Sequence, residues 1–160
     1  MPSVYLETTI PSYLVARLSP DGELAAKQAI TRAWWENRRH RYELVTSETV
    51  LEEAIVGDAN QSRLRLGSLE GVRILGPSEE VEFIGGELVR KGWLPTGAML
   101  DAYHIAYASV YLIDFLLTWN CTHLANEATR RPIERWLRKL DKHIPVICTP
   151  TDLMERSDGY

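Results

Sequence analysis

The chain has 160 residues, the size of one ordinary domain with room for a substantial core. An apolar fraction of 45% and a charged fraction of 25% are those of a globular protein and exclude a disordered one. The net charge of −4 excludes a generic polyanion binder, because non-specific nucleic-acid affinity comes from Lys and Arg.

Met1 to Glu7 has no basic start and meets an acid at once, so it does not read as a signal peptide. Val4-Tyr5-Leu6 is a buried strand that stops at Glu7. Thr8 to Ser12 is a turn into a helix, with Pro11 near the first helical position. Ser19 to Gly22 is a loop. Helical spacing of Ala26, Ile30, Ala33 and Trp34 predicts a helix from Glu23 to about Arg38. Tyr42 to Thr46 is the second strand. Ser47 then caps a helix holding Glu48, Glu52 and Glu53, with Gly57-Asp58 closing it.

Gln61 to Leu69 reads as a short helix ended by Gly71, and Val72 to Leu75 as the third strand. Glu79 to Lys91 is helical, Trp93 to Gly97 a loop, and about Ala98 to Leu112 a long helix. Phe115 to Trp119 is the fourth strand and stops at Asn120. His123 to Asn126 lead into a helix from about Ala128 to Leu140, and Val146 to Cys148 is a last short strand. Strands alternating with helices make an α/β fold with a mostly parallel sheet of about five strands flanked by helices. No linker or repeat divides the chain, so residues 1–160 are expected to form a single domain. No apolar run reaches the roughly 18 residues of a membrane span. Cys121 and Cys148 have no metal-ligand spacing and are expected as buried thiols in a reducing cytoplasm.

Ligands of open α/β sheets bind beyond the carboxyl ends of the strands, where Glu7 and Asn120 stand. Asp101 opens a helix that is apolar nearly all round, and a buried acid there needs a partner. His104 shares its face. Either Glu52 or Glu53 can reach the same crevice, but not both, since helix neighbours point about 100° apart. Thr118 lies on the strand face of Asn120. Carboxylates gathered from distant segments repel unless they hold a proton or a cation, which points to a divalent metal. Two basic runs, Arg38 to Arg41 and Arg130 to Lys139, read by default as solvated faces, with phosphate steering as the alternative.

Four segments carry a resemblance: Tyr5 to Tyr13, Thr46 to Glu53, Asp101-Ala102-Tyr103-His104-Ile105-Ala106, and Leu116 to Asn120. In this order and spacing the chain resembles the PIN-domain family, specifically the VapC-like toxin ribonucleases of type II toxin–antitoxin pairs. The resemblance implies a metal-dependent endoribonuclease that hydrolyses RNA phosphodiesters with Mg²⁺ or Mn²⁺. The catalytic positions it implies fall on Glu7, Glu53, Asp101, Asn120 and Thr118, with Glu7, Asp101, Glu53 and Asn120 as metal ligands. It also implies an RNA substrate tracked by one of the basic runs, a small antitoxin partner, a homodimer and a cytoplasmic location away from membranes. The family most often has Asp where this chain has Glu7 and Asn120. The neutral Asn120 supports an alternative, a catalytically weak PIN-like module that binds RNA or a protein without cutting.

Overall fold

The structure, a computed structural model, describes residues 1–95 and 97–156. Thr96 of the expected 93–97 loop and residues 157–160 of the expected domain span lie outside them. Five strands form one wholly parallel sheet: β1 (Ser3–Leu6), β2 (Glu43–Ser47), β3 (Arg73–Leu75), β4 (Phe115–Leu117) and β5 (Val146–Cys148), in the order β3-β2-β1-β4-β5. The helices are α1 (Thr9–Val15), α2 (Gly22–Asn37), α3 (Glu48–Ile55), α4 (Ala59–Ser68), α5 (Glu79–Arg90), α6 (Met99–Val110), α7 (Glu127–Lys139) and α8 (Pro150–Glu155).

All four residues of β1 are buried, as the continuous apolar run requires of a central parallel strand. Tyr5 pairs with Val45 of β2 on one side and with Leu116 of β4 on the other. Because every strand points the same way, Glu7, Ser47, Gly76, Thr118 and Thr149 all emerge at one end of the sheet. At the opposite end, Ser3 and Asp114 exchange hydrogen bonds that stitch β1 to β4.

Three local expectations need correcting, and one helix, α8, is additional to the predicted elements. Asp58 does not close α3 but opens α4, its Oδ2 accepting from Gln61 N at 2.9 Å, while Gly57 takes the turn with φ +99°. The fourth strand ends at Leu117, because Trp119 N turns away to donate to Thr9 Oγ1 at 2.9 Å. Helix α8 follows β5, started by a capping box in which Thr149 and Asp152 bond each other's backbone. Cys121 is exposed in the loop after β4; Cys148 is buried, and burial pushes its thiol up to about 12. No helix among the described residues is long and apolar enough to cross a membrane.

Helices α5 and α6 pack closely because Gly85 lacks a side chain. A Cβ there would lie 2.8 Å from the ring of Tyr103, whose hydroxyl donates to Glu82 across the same interface at 2.7 Å. This contact sets the seating of α6, and with it Asp101 and His104. Gly85→Val is therefore expected to destabilise the fold by about 1–3 kcal/mol through overpacking, read as a lower urea midpoint with unchanged slope.

Candidate functional site

Glu7 is only 4% exposed, although it is the first residue past a strand that has run out of core. Its N–H makes the last ladder bond, to Leu117 O at 3.1 Å, and its carbonyl accepts from Ile10 N at 2.9 Å, starting the turn into α1. The carboxylate is then held from two directions. Oε1 accepts from Thr9 N at 3.1 Å, Thr9 Oγ1 at 2.5 Å and Thr118 Oγ1 at 2.7 Å. Burial raises the Glu7 carboxyl above the usual carboxylate range, against the opposing pull of His104 and the two threonines. Glu7 thus both caps the following turn and faces the site.

Thr118 passes this connection along the end of β4. While donating to Glu7, its Oγ1 accepts from Asn120 N at 2.9 Å. Asn120 in turn donates through Nδ2 to Asp101 Oδ1 at 3.2 Å, and its Oδ1 accepts from His123 N at 3.0 Å. The other Asp101 oxygen lies 2.9 Å from His123 Nδ1. His123 is the functional candidate that sequence reasoning missed. Its signal was local: a histidine three residues beyond a polar strand end, on the loop that must pass over the site.

Glu53 rather than Glu52 faces the site: Glu52 is exposed, whereas Glu53 Oε1 accepts from Thr8 Oγ1 at 2.7 Å. It also lies 2.8 Å from His104 Nε2, close enough for an ion pair but off the line of a good hydrogen bond. His104 is fully buried, with Nδ1 2.7 Å from the Tyr5 hydroxyl, which is itself 2.6 Å from Ser47 Oγ. Ser47 Oγ accepts from Val50 N at 3.2 Å, so the same hydroxyl that starts α3 anchors this chain of polar groups. Burial pulls the His104 pKa down, but Glu53 beside it and the fields of Glu7 and Asp101 outweigh burial and raise it. Burial pushes the Glu53 carboxyl up, and His104 and Thr8 bring it below its ordinary value. His104 is thereby a participant in the charge balance and more than packing.

Glu7, Glu53, Asp101, Thr118 and Asn120 are thus brought together beyond the carboxyl ends of β1, β2 and β4. Among the described residues, no group of three or more His, Cys, Asp or Glu side chains stands ready to hold a metal ion. The donors are nevertheless all oxygen, and a hard cation that keeps most of its water needs only one or two carboxylates. The basic run at Arg38–Arg41 does not reach this crevice. It forms a short 3₁₀ turn leading into the amino end of β2, and a five-residue strand separates the two ends by roughly 15 Å. On α7, Arg130 is turned inward to Ile147 O at 3.1 Å, and Arg131 pairs with Glu127 at 2.7 Å.

Thr118→Val is expected to leave Glu7 short of a donor and Asn120 N without its acceptor, costing about 1–3 kcal/mol. Thr118→Ser should recover most of the loss in equilibrium urea unfolding, since it restores the hydroxyl.

No protein-family model matches the sequence, and no curated protein matches it at a significant level. Solved structures do match. A chain from VapBC2 of Rickettsia felis, in a crystal structure bound to a DNA fragment from their promoter, is similar with a TM-score of 0.55 and 18% identity, over 91% of this chain and 97% of that one. A chain from VapBC-1 of nontypeable Haemophilus influenzae is similar with a TM-score of 0.54 and 20% identity, over 92% and 98% respectively. With its five parallel strands and these likenesses along nearly the whole length, the chain has a VapC-like PIN-domain fold.

Proposed function

We propose that the chain is a metal-dependent endoribonuclease and the toxin of a toxin–antitoxin pair, held inactive by a small antitoxin. The observation that carries this reading is the convergence of three carboxylates, Glu7, Glu53 and Asp101, on one buried imidazole at the mouth of the sheet. A structural core does not assemble like charges from three distant segments without a use for them. The likeness in fold to chains of VapBC complexes supports the toxin assignment.

In this reading Asp101 and Glu7 hold Mg²⁺ or Mn²⁺, with Glu53 and Asn120 contributing at its margin. Such a cation, when bound, supplies Lewis acidity toward a phosphate and makes water more acidic. The chain's own residues do the positioning. Thr118 and Thr9 fix the Glu7 carboxylate, Asn120 and His123 fix Asp101, and Tyr5 holds the His104 ring against Glu53. Glu53, with a lowered pKa, stays ionised at neutral pH and is suited to orient an attacking water as a hydrogen-bond acceptor.

A second reading, a PIN-like module that binds without cutting, is favoured by the neutral Asn120 and by carboxylates already engaged within the protein.

The deciding experiment is cleavage of a structured RNA pool by antitoxin-free protein in EDTA, Mg²⁺ or Mn²⁺. Cleavage is expected only with metal, and Asp101→Asn should lower its rate by about 100-fold or more. Folded protein that cuts nothing under any metal would favour the binding module. Asn120→Asp is expected to restore a fourth acid and so bind cations more tightly. Its melting temperature should rise further on Mg²⁺ addition than that of the native chain, a difference readable by calorimetry without any activity. Equal shifts would remove Asn120 from the cation-binding set.

A further inference from the structure

Away from the acidic crevice, the loop after α5 lays Lys91 and Trp93 against α7. Pro132, Arg135, Trp136 and Lys139 recur along α7 at spacings of three and four, so they share one face. Together these six residues line a groove of about 220 Å³. Trp93 and Trp136 meet edge to face, with ring centroids 6.3 Å apart, and Lys91 Nζ stands 5.5 and 5.4 Å from the two centroids. Both indoles are half-buried against the core, which holds their rings in place. The lining carries three cations and no acid, and among the described residues neither Arg135 nor Lys139 forms a salt bridge. Glu134 lines a different hollow, with Ile105 and Ile133.

Two oriented aromatic rings framed by cations match a ligand that has flat bases on an anionic backbone. An acidic peptide would engage the cations and leave the indoles without a role. We propose that this groove is a binding subsite for single-stranded RNA, in which a base stacks on an indole and neighbouring phosphates lie against Lys91, Arg135 and Lys139. The proposal rests on the reading of the chain as acting on RNA. It places the docking of the strand on α7 and the turn just after α5, and not on the Arg38–Arg41 run, which leads into β2 and contributes no residue to the groove. The groove shares no residue with the acidic crevice, so binding is measurable without cleavage.

The test is fluorescence anisotropy of a short labelled oligouridylate, with tryptophan quenching, in EDTA across a salt series. The native chain should bind with quenching. Arg135→Gln with Lys139→Gln, both exposed and neutral to folding, should lower the slope of log affinity against log salt by about 1.4, roughly 0.7 for each phosphate no longer neutralised. Trp136→Leu should weaken binding about tenfold with the slope unchanged, and Trp136→Phe should retain most of it. Unchanged affinity and slope in all these variants would overturn the proposal. So would polyglutamate that quenches the indoles and competes as well as the oligonucleotide, since that would make the groove a surface for acidic polypeptide. Cleavage by the native chain together with unaltered binding by the variants would reject the groove and leave the nuclease standing. Groove-dependent binding with no cleavage under any metal would keep the groove and reject the nuclease.

Discussion

A carboxylate at the end of a fully buried strand is costly unless donors surround it, and much of the local architecture here satisfies that constraint. Glu7 lies where β1 leaves the core, and three donors from two segments converge on one of its oxygens. Thr9 takes part twice, since its hydroxyl donates to Glu7 and also accepts from Trp119 N, drawing the end of β4 toward the start of α1. Thr118 N still donates to Cys148 O at 2.9 Å, the last bond of the ladder to β5, and the bend that follows at Trp119 turns Asn120 over the site. Satisfying one buried acid thereby shapes the mouth of the crevice.

The charge balance follows from the same geometry. The fields of three carboxylates raise the pKa of His104, and Asn120 offers an amide donor to Asp101 where a fourth acid would have repelled it. Tyr5 links this cluster back into the sheet, because its hydroxyl reaches both His104 and Ser47 from a strand position buried on every side. Rotating His104 would break its contact with Tyr5, and moving Tyr5 would open the core. The positions of the acids are thus coupled to the stability of β1, as expected of a site built on rigid elements.

The fold was legible where burial dictated residue type. The runs ending at Glu7 and Asn120 are apolar because β1 and β4 are buried on both faces, and a lone polar residue after such a run marks where the chain leaves the sheet. Asp101 was legible for the same reason, as an acid on an otherwise apolar helix. Choosing Glu53 over Glu52 needed the helix phase: only the structure brings Thr8 against Glu53, while Glu52 faces solvent. His123 was hidden because its part depends on how a loop folds back, which no periodicity records. Asp58 is ambiguous in sequence because Gly57-Asp58 satisfies both a helix stop and a helix start; the glycine takes one and the aspartate the other. Helix α8 is short enough that its capping box, Thr149 with Asp152, was its main signal.

An all-parallel sheet gathers every strand's carboxyl end on one side, and this separates the charges of the chain. Glu7, Glu53 and Asp101 collect at that end, while the Arg38–Arg41 run is confined to the amino end of β2. Sequence proximity in charge therefore carries little information about site proximity: the compact basic run is remote from the crevice. Within the looser basic run of α7, Arg135 and Lys139 meet Lys91 and two indoles because helical spacing brings them to one face, while Arg130 and Arg131 are engaged by Ile147 and Glu127. With a net charge of −4, the molecule cannot attract a polyanion through its overall field. A phosphate chain must be met by such a local concentration of cations, and aromatic faces beside them favour nucleobases over other anions.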